Sequence, residues 1–257
     1  MNSDSEEEAV LPREIGEAAA DGDFERVKAW LAGGSASARS VNSRDDENDW
    51  TLLHWTAARP RSPEQVEFAR YLISQGVRVD AKGREGSTAL HCACGGIPGK
   101  STAAMVSLLV AAGAAAHMED HANRTPLFSI FYPHESIIDI VTTLLRAGAS
   151  LDSVPVPFLG TTKVSRQFEE LLNHIDVYPD LRARVGAVRT LVASVRAAGS
   201  WKAHCRLPHK QVLRLRSLVA RGRTRERLAT TRAIRFIVRQ GDNGIVWNIL
   251  SFWRETA

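Results

Sequence analysis

A seven-residue string returns at a fixed interval. Thr51-Leu52-Leu53-His54-Trp55-Thr56-Ala57 is followed 37 residues later by Thr88-Ala89-Leu90-His91-Cys92-Ala93-Cys94, and after another 37 by the looser Thr125-Pro126-Leu127-Phe128-Ser129-Ile130-Phe131. A period of this size means stacked copies of one supersecondary unit, because a single unit cannot bury its own apolar face. Each copy continues into an apolar run that ends in glycine: Tyr71-Leu72-Ile73-Ser74-Gln75-Gly76, Leu108-Leu109-Val110-Ala111-Ala112-Gly113, and Leu144-Leu145-Arg146-Ala147-Gly148. Threonine caps a helix start with its hydroxyl, and glycine past a helix end supplies the left-handed conformation that stops it. The pattern predicts consecutive helix pairs.

These residues resemble the ankyrin repeat, whose signature is Thr-Pro-Leu-His-x-Ala followed by Leu-Leu-x-x-Gly-Ala. The resemblance covers about residues 13–153 and implies an all-α solenoid of helix–turn–helix units joined by hairpins. Glu14 to Asp23 and Phe24 to Leu31 read as a further helix pair upstream, closed by Gly33, without the threonine motif and acidic outside, as a capping repeat would be. Glycine to the next threonine is 12 residues in both cases, whereas threonine to glycine is 25, 25 and 23. The consensus needs about 21. The surplus therefore falls between the two helices of each unit, around Arg59-Pro60-Arg61-Ser62-Pro63, Gly96-Ile97-Pro98-Gly99-Lys100 and Tyr132-Pro133-His134-Glu135, where proline and glycine suit an enlarged turn. Ser35 to Asp49 is long and polar and is expected to be a mobile hairpin insertion.

Charge divides the chain. Residues 1–154 carry 14 Lys and Arg against 22 Asp and Glu, and residues 155–257 carry 19 against 7. Such a split points to segments with different neighbours. Residues 1–12 read as a disordered acidic start with no secretory signal, and residues 154–257 as a basic helical extension, a degenerate repeat plus a cap. There is no apolar run of 18 residues, and three cysteines are too few for a disulfide scaffold. An intracellular protein, cytoplasmic or nuclear, without a membrane span is the expectation.

Several residue groups resemble chemical sites and are read otherwise. Gly99-Lys100-Ser101 mimics the end of a phosphate loop, but Cys94 stands where that loop needs its first glycine. His91, Cys92 and Cys94 fall on one helix with the two cysteines about 200° apart, which does not converge on a tetrahedral metal. They read as core residues. His117-Met118-Glu119 lacks the cysteine pair of a zinc deaminase, and no hydrolase or dinucleotide fingerprint occurs. No enzyme, cofactor or metal is expected.

The resemblance instead implies protein binding by the hairpin tips and the concave face. Alignment of the threonines places Glu47, Asn48 and Trp50, then Arg84, Glu85 and Ser87, then His121 and Arg124 at the tips, with Trp50 as an aromatic anchor or as packing beneath the insertion. Arg214, Arg216, Arg221, Arg223, Arg225 and Arg227 could meet phosphates, but no nucleic-acid module accompanies them, so a protein is the expected partner. The last apolar stripe, Ile245, Ile249, Phe252 and Trp253 with Trp247, resembles the C-terminal segment of ankyrin proteins from unicellular algae. It is also similar to part of an F-box, with Gly241-Asp242-Asn243 in place of that motif's Leu-Pro. Two roles stay open for it: a cap on the solenoid, or, within residues 211–253, a docking segment for a subunit of a cullin-type ubiquitin ligase.

Overall fold

The computed structural model describes residues 10–33, 40–97, 99–130, 135–151 and 182–206. The acidic residues 1–9, the arginines of 214–227 and the stripe of Ile245, Trp247, Ile249, Phe252 and Trp253 lie outside the described residues. The helices are α1 (Arg13–Asp21), α2 (Phe24–Ala32), α3 (Leu52–Ala58), α4 (Pro63–Ser74), α5 (Ala89–Gly95), α6 (Thr102–Ala111), a 3-10 turn (Pro126–Ser129), α7 (Ile137–Arg146) and α8 (Arg182–Ala198). No strand occurs among the described residues.

The pairs stack in two layers. In the inner layer α3 packs between α1 and α5, and α5 packs between α3 and the 3-10 turn; in the outer layer α6 packs against α4 and α7. Between the layers Leu52, Leu53, Leu72, Leu90, Leu109 and Leu127 are completely buried. Each such side chain contributes roughly 2–3 kcal/mol of burial. Phe24 of α2 stacks on Phe68 of α4, ring centroids 4.3 Å apart, which ties the first unit to the second on the outer side.

Local sequence sets the boundaries. Thr51 and Thr88 cap α3 and α5, each in a reciprocal box with the histidine three residues on. Ser62 and Gln65 make the same box at α4, with Pro63 at the first helical position where no amide is needed. Gly76, Gly113 and Gly148 end the outer helices at φ 84°, 94° and 91°. A Cβ at any of the three would meet nothing, so backbone conformation and not space selects glycine there. Gly33, by contrast, caps α2 at φ −87° and needs no glycine.

The third unit departs from its predecessors. Its inner element is a four-residue 3-10 turn, Pro126–Ser129. Phe128 stands where His54 and His91 stand, and the buried Thr125 hydroxyl has no hydrogen-bond partner. Thr125→Val should therefore leave stability unchanged or raise it by up to about 1 kcal/mol, whereas Thr88→Val should lose about 1 kcal/mol. Urea unfolding of the two variants checks the contrast.

The segment read as a mobile insertion is anchored over residues 40–49. Asn42 Oδ1 accepts from the Arg78 amide at 2.7 Å, its Nδ2 donates to the Gly76 carbonyl at 3.4 Å, and the Leu11 amide bonds the Arg44 carbonyl at 2.8 Å. Ser43 and Asp45 are buried. Polar composition suggested mobility because the bonds it makes are to distant backbone groups. Residues 34–39 lie outside the described residues.

In the basic half, α8 buries Val185, Val188, Val192 and Val195 as one stripe, and Gly199 at φ 82° ends it. Residues 201–206 are again helical, opened by Ser200, whose hydroxyl accepts from the Ala203 amide.

Candidate partner-binding edge

Three hairpins project from one end of the inner helices. Two residues before each threonine the backbone turns left-handed, at Asp49 (φ 58°), Gly86 (φ 76°) and Asn123 (φ 55°). Asp, Asn and Gly tolerate this conformation best, which is why the three positions share no other property. The first hairpin is one residue longer than the others: the Asp45 amide bonds the Trp50 carbonyl, where Gly83 bonds Ser87 and Asp120 bonds Arg124. Buried Asp45 also accepts the Asn48 amide and the Trp55 indole Nε1 at 2.8 Å, and Asp120 likewise holds Arg124 through an ion pair of 2.7 Å.

The hairpins are fastened to one another. The Arg84 amide donates to the Asn48 carbonyl at 2.7 Å and the His121 amide to the Glu85 carbonyl at 2.9 Å. Side chains repeat the link: Arg84 Nη2 reaches the Asp46 carbonyl and Lys82 Nζ the Glu119 carbonyl. The second hairpin lies between two rings. A Cβ on Gly83 would stand 2.7 Å from the Trp50 indole, and one on Gly86 would stand 2.7 Å from the His121 imidazole.

Histidines lock the hairpins to the helices. The amide of Thr51 donates to His54 Nδ1 at 3.1 Å, so Nδ1 is unprotonated and the proton sits on Nε2, which donates to the Ser87 carbonyl of the next hairpin at 3.2 Å. His91 repeats the arrangement with the Thr88 amide and the Arg124 carbonyl at 2.9 Å. Both rings are thus neutral cross-links between units. Burial is the main cause that lowers both pKa values, opposed by the bonds to the Ser87 and Arg124 carbonyls.

The pH dependence follows. His54 titrates near 6.5 when unfolded and at about 4 in the fold, so between these values the unfolded chain binds more protons. Its stabilisation is complete above the unfolded value and is lost as pH falls to the folded one, a total of about 3 kcal/mol, with His91 acting in the same direction. Denaturant midpoints taken between neutral pH and about pH 4 should fall less steeply in His54→Gln than in the natural chain; parallel curves would contradict this assignment.

The expected tip residues separate into two groups. Glu47, Arg84, Glu85 and His121 are exposed, while Asn48, Trp50, Ser87 and Arg124 are half-buried. Trp50 is not a free anchor: it stacks on His54 and meets Trp55 edge-on at 5.2 Å. Its backbone and indole position the next hairpin, and Trp50→Ala should lower stability by about 2–3 kcal/mol. Glu47 pairs with Arg13 at 2.7 Å. Trp55, which sequence reasoning did not single out, lies at the second residue after Leu53 with its indole against Gly16, where a Cβ would stand 2.6 Å away.

The residues that resembled chemical sites have structural roles. Cys92 and Cys94 are buried, and burial raises both thiol pKa values, that of Cys92 to about 12, so neither is a reactive thiolate. Gly99-Lys100-Ser101 is part of the turn between α5 and α6, where Thr102 Oγ1 accepts from the Gly99 amide at 2.8 Å. No group of three His, Cys, Asp or Glu able to hold a metal occurs among the described residues, and no helix among them is long and apolar enough to cross a membrane.

The family model for ankyrin repeats matches residues 15–101 as three copies. A search of the curated proteins found no match. The matched span ends inside the unit of Thr88, and the hairpin of Asp120 to Arg124 with α7 continues its geometry for one more unit. Residues 15–101 match ankyrin repeats, and the described residues between 10 and 151 form an all-α repeat solenoid.

Proposed function

We propose that the chain is a non-catalytic binding module that takes a protein partner on the hairpin tips and the adjoining face of the inner helices. Ankyrin repeats suggest protein–protein interaction as the general role. The observation that carries the specific reading is the union of a fixed backbone with exposed side chains. Consecutive hairpins are joined through Arg84 to Asn48 and His121 to Glu85, yet the side chains of Glu47, Arg84, Glu85 and His121 point to solvent. A partner then meets an already ordered row and bears little of the ordering entropy that a mobile loop would cost.

Glu47, Arg84 and Glu85 alternate in charge along the row, with the polar His121 next, which favours a polar, charge-matched partner surface. Arg84→Glu combined with Glu85→Arg keeps the backbone-to-backbone bonds at Asn48 and Glu85, gives up the exposed Arg84 Nη2 bond to the Asp46 carbonyl, and inverts the pattern. The variant should retain its thermal midpoint and lose the proteins that the natural chain captures from native lysate. Equal capture by both chains would remove the tips from the binding surface. A ligase-docking role for residues 211–253 rests on sequence likeness alone; a chain ending at residue 200 that still captured cullin-type subunits would exclude it.

A further inference from the structure

The insertion that enlarges the turn between the helices recurs at the same place in consecutive units, and the hairpin reading gives it no task. Insertions repeated at one place in a solenoid map to loops on one face, frequently a binding face. Here they build a second edge, at the far end of the inner helices from the hairpins. Buried Gln65 fastens the first turn: its Oε1 accepts the amides of Arg61 and Ser62 at 2.6 and 3.0 Å, and its Nε2 donates to the Ala20 carbonyl of the preceding unit at 2.6 Å. The second turn is laid on the first by backbone bonds, from the Ile97 amide to the Ala58 carbonyl at 3.1 Å and from the Ser101 amide to the Pro60 carbonyl at 3.2 Å. Gly96 and Gly99 permit the approach, since a Cβ on either would stand 2.2 Å from the Ala58 oxygen or 2.5 Å from the Pro60 oxygen.

What this rigid edge presents is specific. Ile97 is 50% exposed, although it is an isoleucine on a well-fixed turn. Arg61 and Lys100 are exposed on adjacent turns, Gly99 bringing the second against the Arg61 Cα, and neither has an ion-pair partner among the described residues. Arg59 beside them is held at 3.6 Å from Asp21, so Arg61 and Lys100 are the two cations this edge offers, with Glu64 an exposed carboxylate at the start of α4. One exposed apolar side chain and two exposed cations thus share a pair of bonded turns.

We infer that the turns 59–62 and 96–101 form a second docking edge that takes an extended acidic segment of a partner protein, its carboxylates on Arg61 and Lys100 and an apolar side chain of the segment on Ile97. Two exposed ion pairs and one shared apolar contact give a weak, salt-sensitive interaction, suited to adding specificity to binding elsewhere on the molecule. This edge is independent of the hairpin tips, so each can fail alone.

The test is selection of a displayed random peptide library on the full chain. Enriched sequences should place acidic residues on both sides of one apolar residue. A synthetic peptide of that sequence should bind the natural chain, bind Arg61→Glu/Lys100→Glu roughly tenfold or more weakly, and lose affinity as salt is raised. Ile97→Ser should weaken it as well, and Arg84→Glu/Glu85→Arg should not. Circular dichroism and an unchanged thermal midpoint establish that each variant is folded; the side chains of Arg61, Ile97 and Lys100 carry none of the hydrogen bonds between the two turns. Failure to enrich acidic–apolar sequences, or equal binding by Arg61→Glu/Lys100→Glu, overturns the inference. Loss of binding only in the hairpin variant also overturns it, while leaving the hairpin reading in place.

Discussion

His91→Ala lowers the thermal midpoint by roughly 10 °C. The ring joins two units: Nδ1 receives the Thr88 amide at 3.1 Å, and Nε2 donates to the Arg124 carbonyl at 2.9 Å. Truncation leaves the buried Thr88 amide unpaired, removes one of the two donors to the Arg124 carbonyl and opens a cavity, which together cost about 3 kcal/mol. At roughly 2–4 °C per kcal/mol for a chain of this size, the midpoint shift follows. The loss should be local as well as global, because a repeat stack is held by nearest-neighbour interfaces. Amide exchange should accelerate first in the third hairpin, whose Arg124 carbonyl has lost its link to the preceding unit and keeps only the Asp120 amide. A shift of less than 2 °C would mean that the histidine bridges do not hold the units together.

The second large effect concerns a glycine that is not left-handed. Gly96 has φ −71° and ψ −173°, a conformation open to any residue. A Cβ there would stand 2.2 Å from the Ala58 oxygen and 2.6 Å from the Cys92 oxygen, both backbone atoms that cannot swing aside. Gly96→Ala must therefore push the second turn off the first and break the Ile97 amide bond to Ala58, with an expected cost of about 2–4 kcal/mol. Gly113→Ala meets no atom and bears only the strain of φ 94°, about 1–2 kcal/mol. Equilibrium denaturation of the two variants gives the order directly. If Gly113→Ala proves the more damaging, close approach of the turns is not what selects Gly96.

These two residues mark how far the sequence could be read. The unit length, the threonine caps and the closing glycines 76, 113 and 148 were legible because each is a local device with a residue signature. The place of the first two insertions was legible from spacing alone; the third, at Tyr132-Pro133-His134-Glu135, falls largely on residues 131–134, outside the described residues. Their purpose was not: Gly96 and Gly99 read as generic turn residues, and only the approach of residues 58–60 from the neighbouring unit explains them. Gln65 was invisible for the same reason, since a glutamine on a polar helix start gives no sign that it is buried and reaches Ala20. At the hairpins, threonine alignment placed Arg84 and Glu85, which are exposed, and left Trp50 open between anchor and packing; its contacts with Trp55 and with Gly83 of the next hairpin appear only in the fold. The anchoring of residues 40–49 was missed because Asn42 finds its partners about 35 residues away. Contacts within a unit are legible in sequence; contacts between units become so only when the copies are superposed in space.

Hydrogen exchange of the full chain with and without a captured partner tests most directly whether the hairpin tips are the binding surface. The account predicts that protection gained on binding is concentrated in residues 46–49, 84–87 and 121–124, with the outer helices α4 and α6 unchanged. Protection confined to the outer helices, with the three tips exchanging as in the free chain, would contradict it.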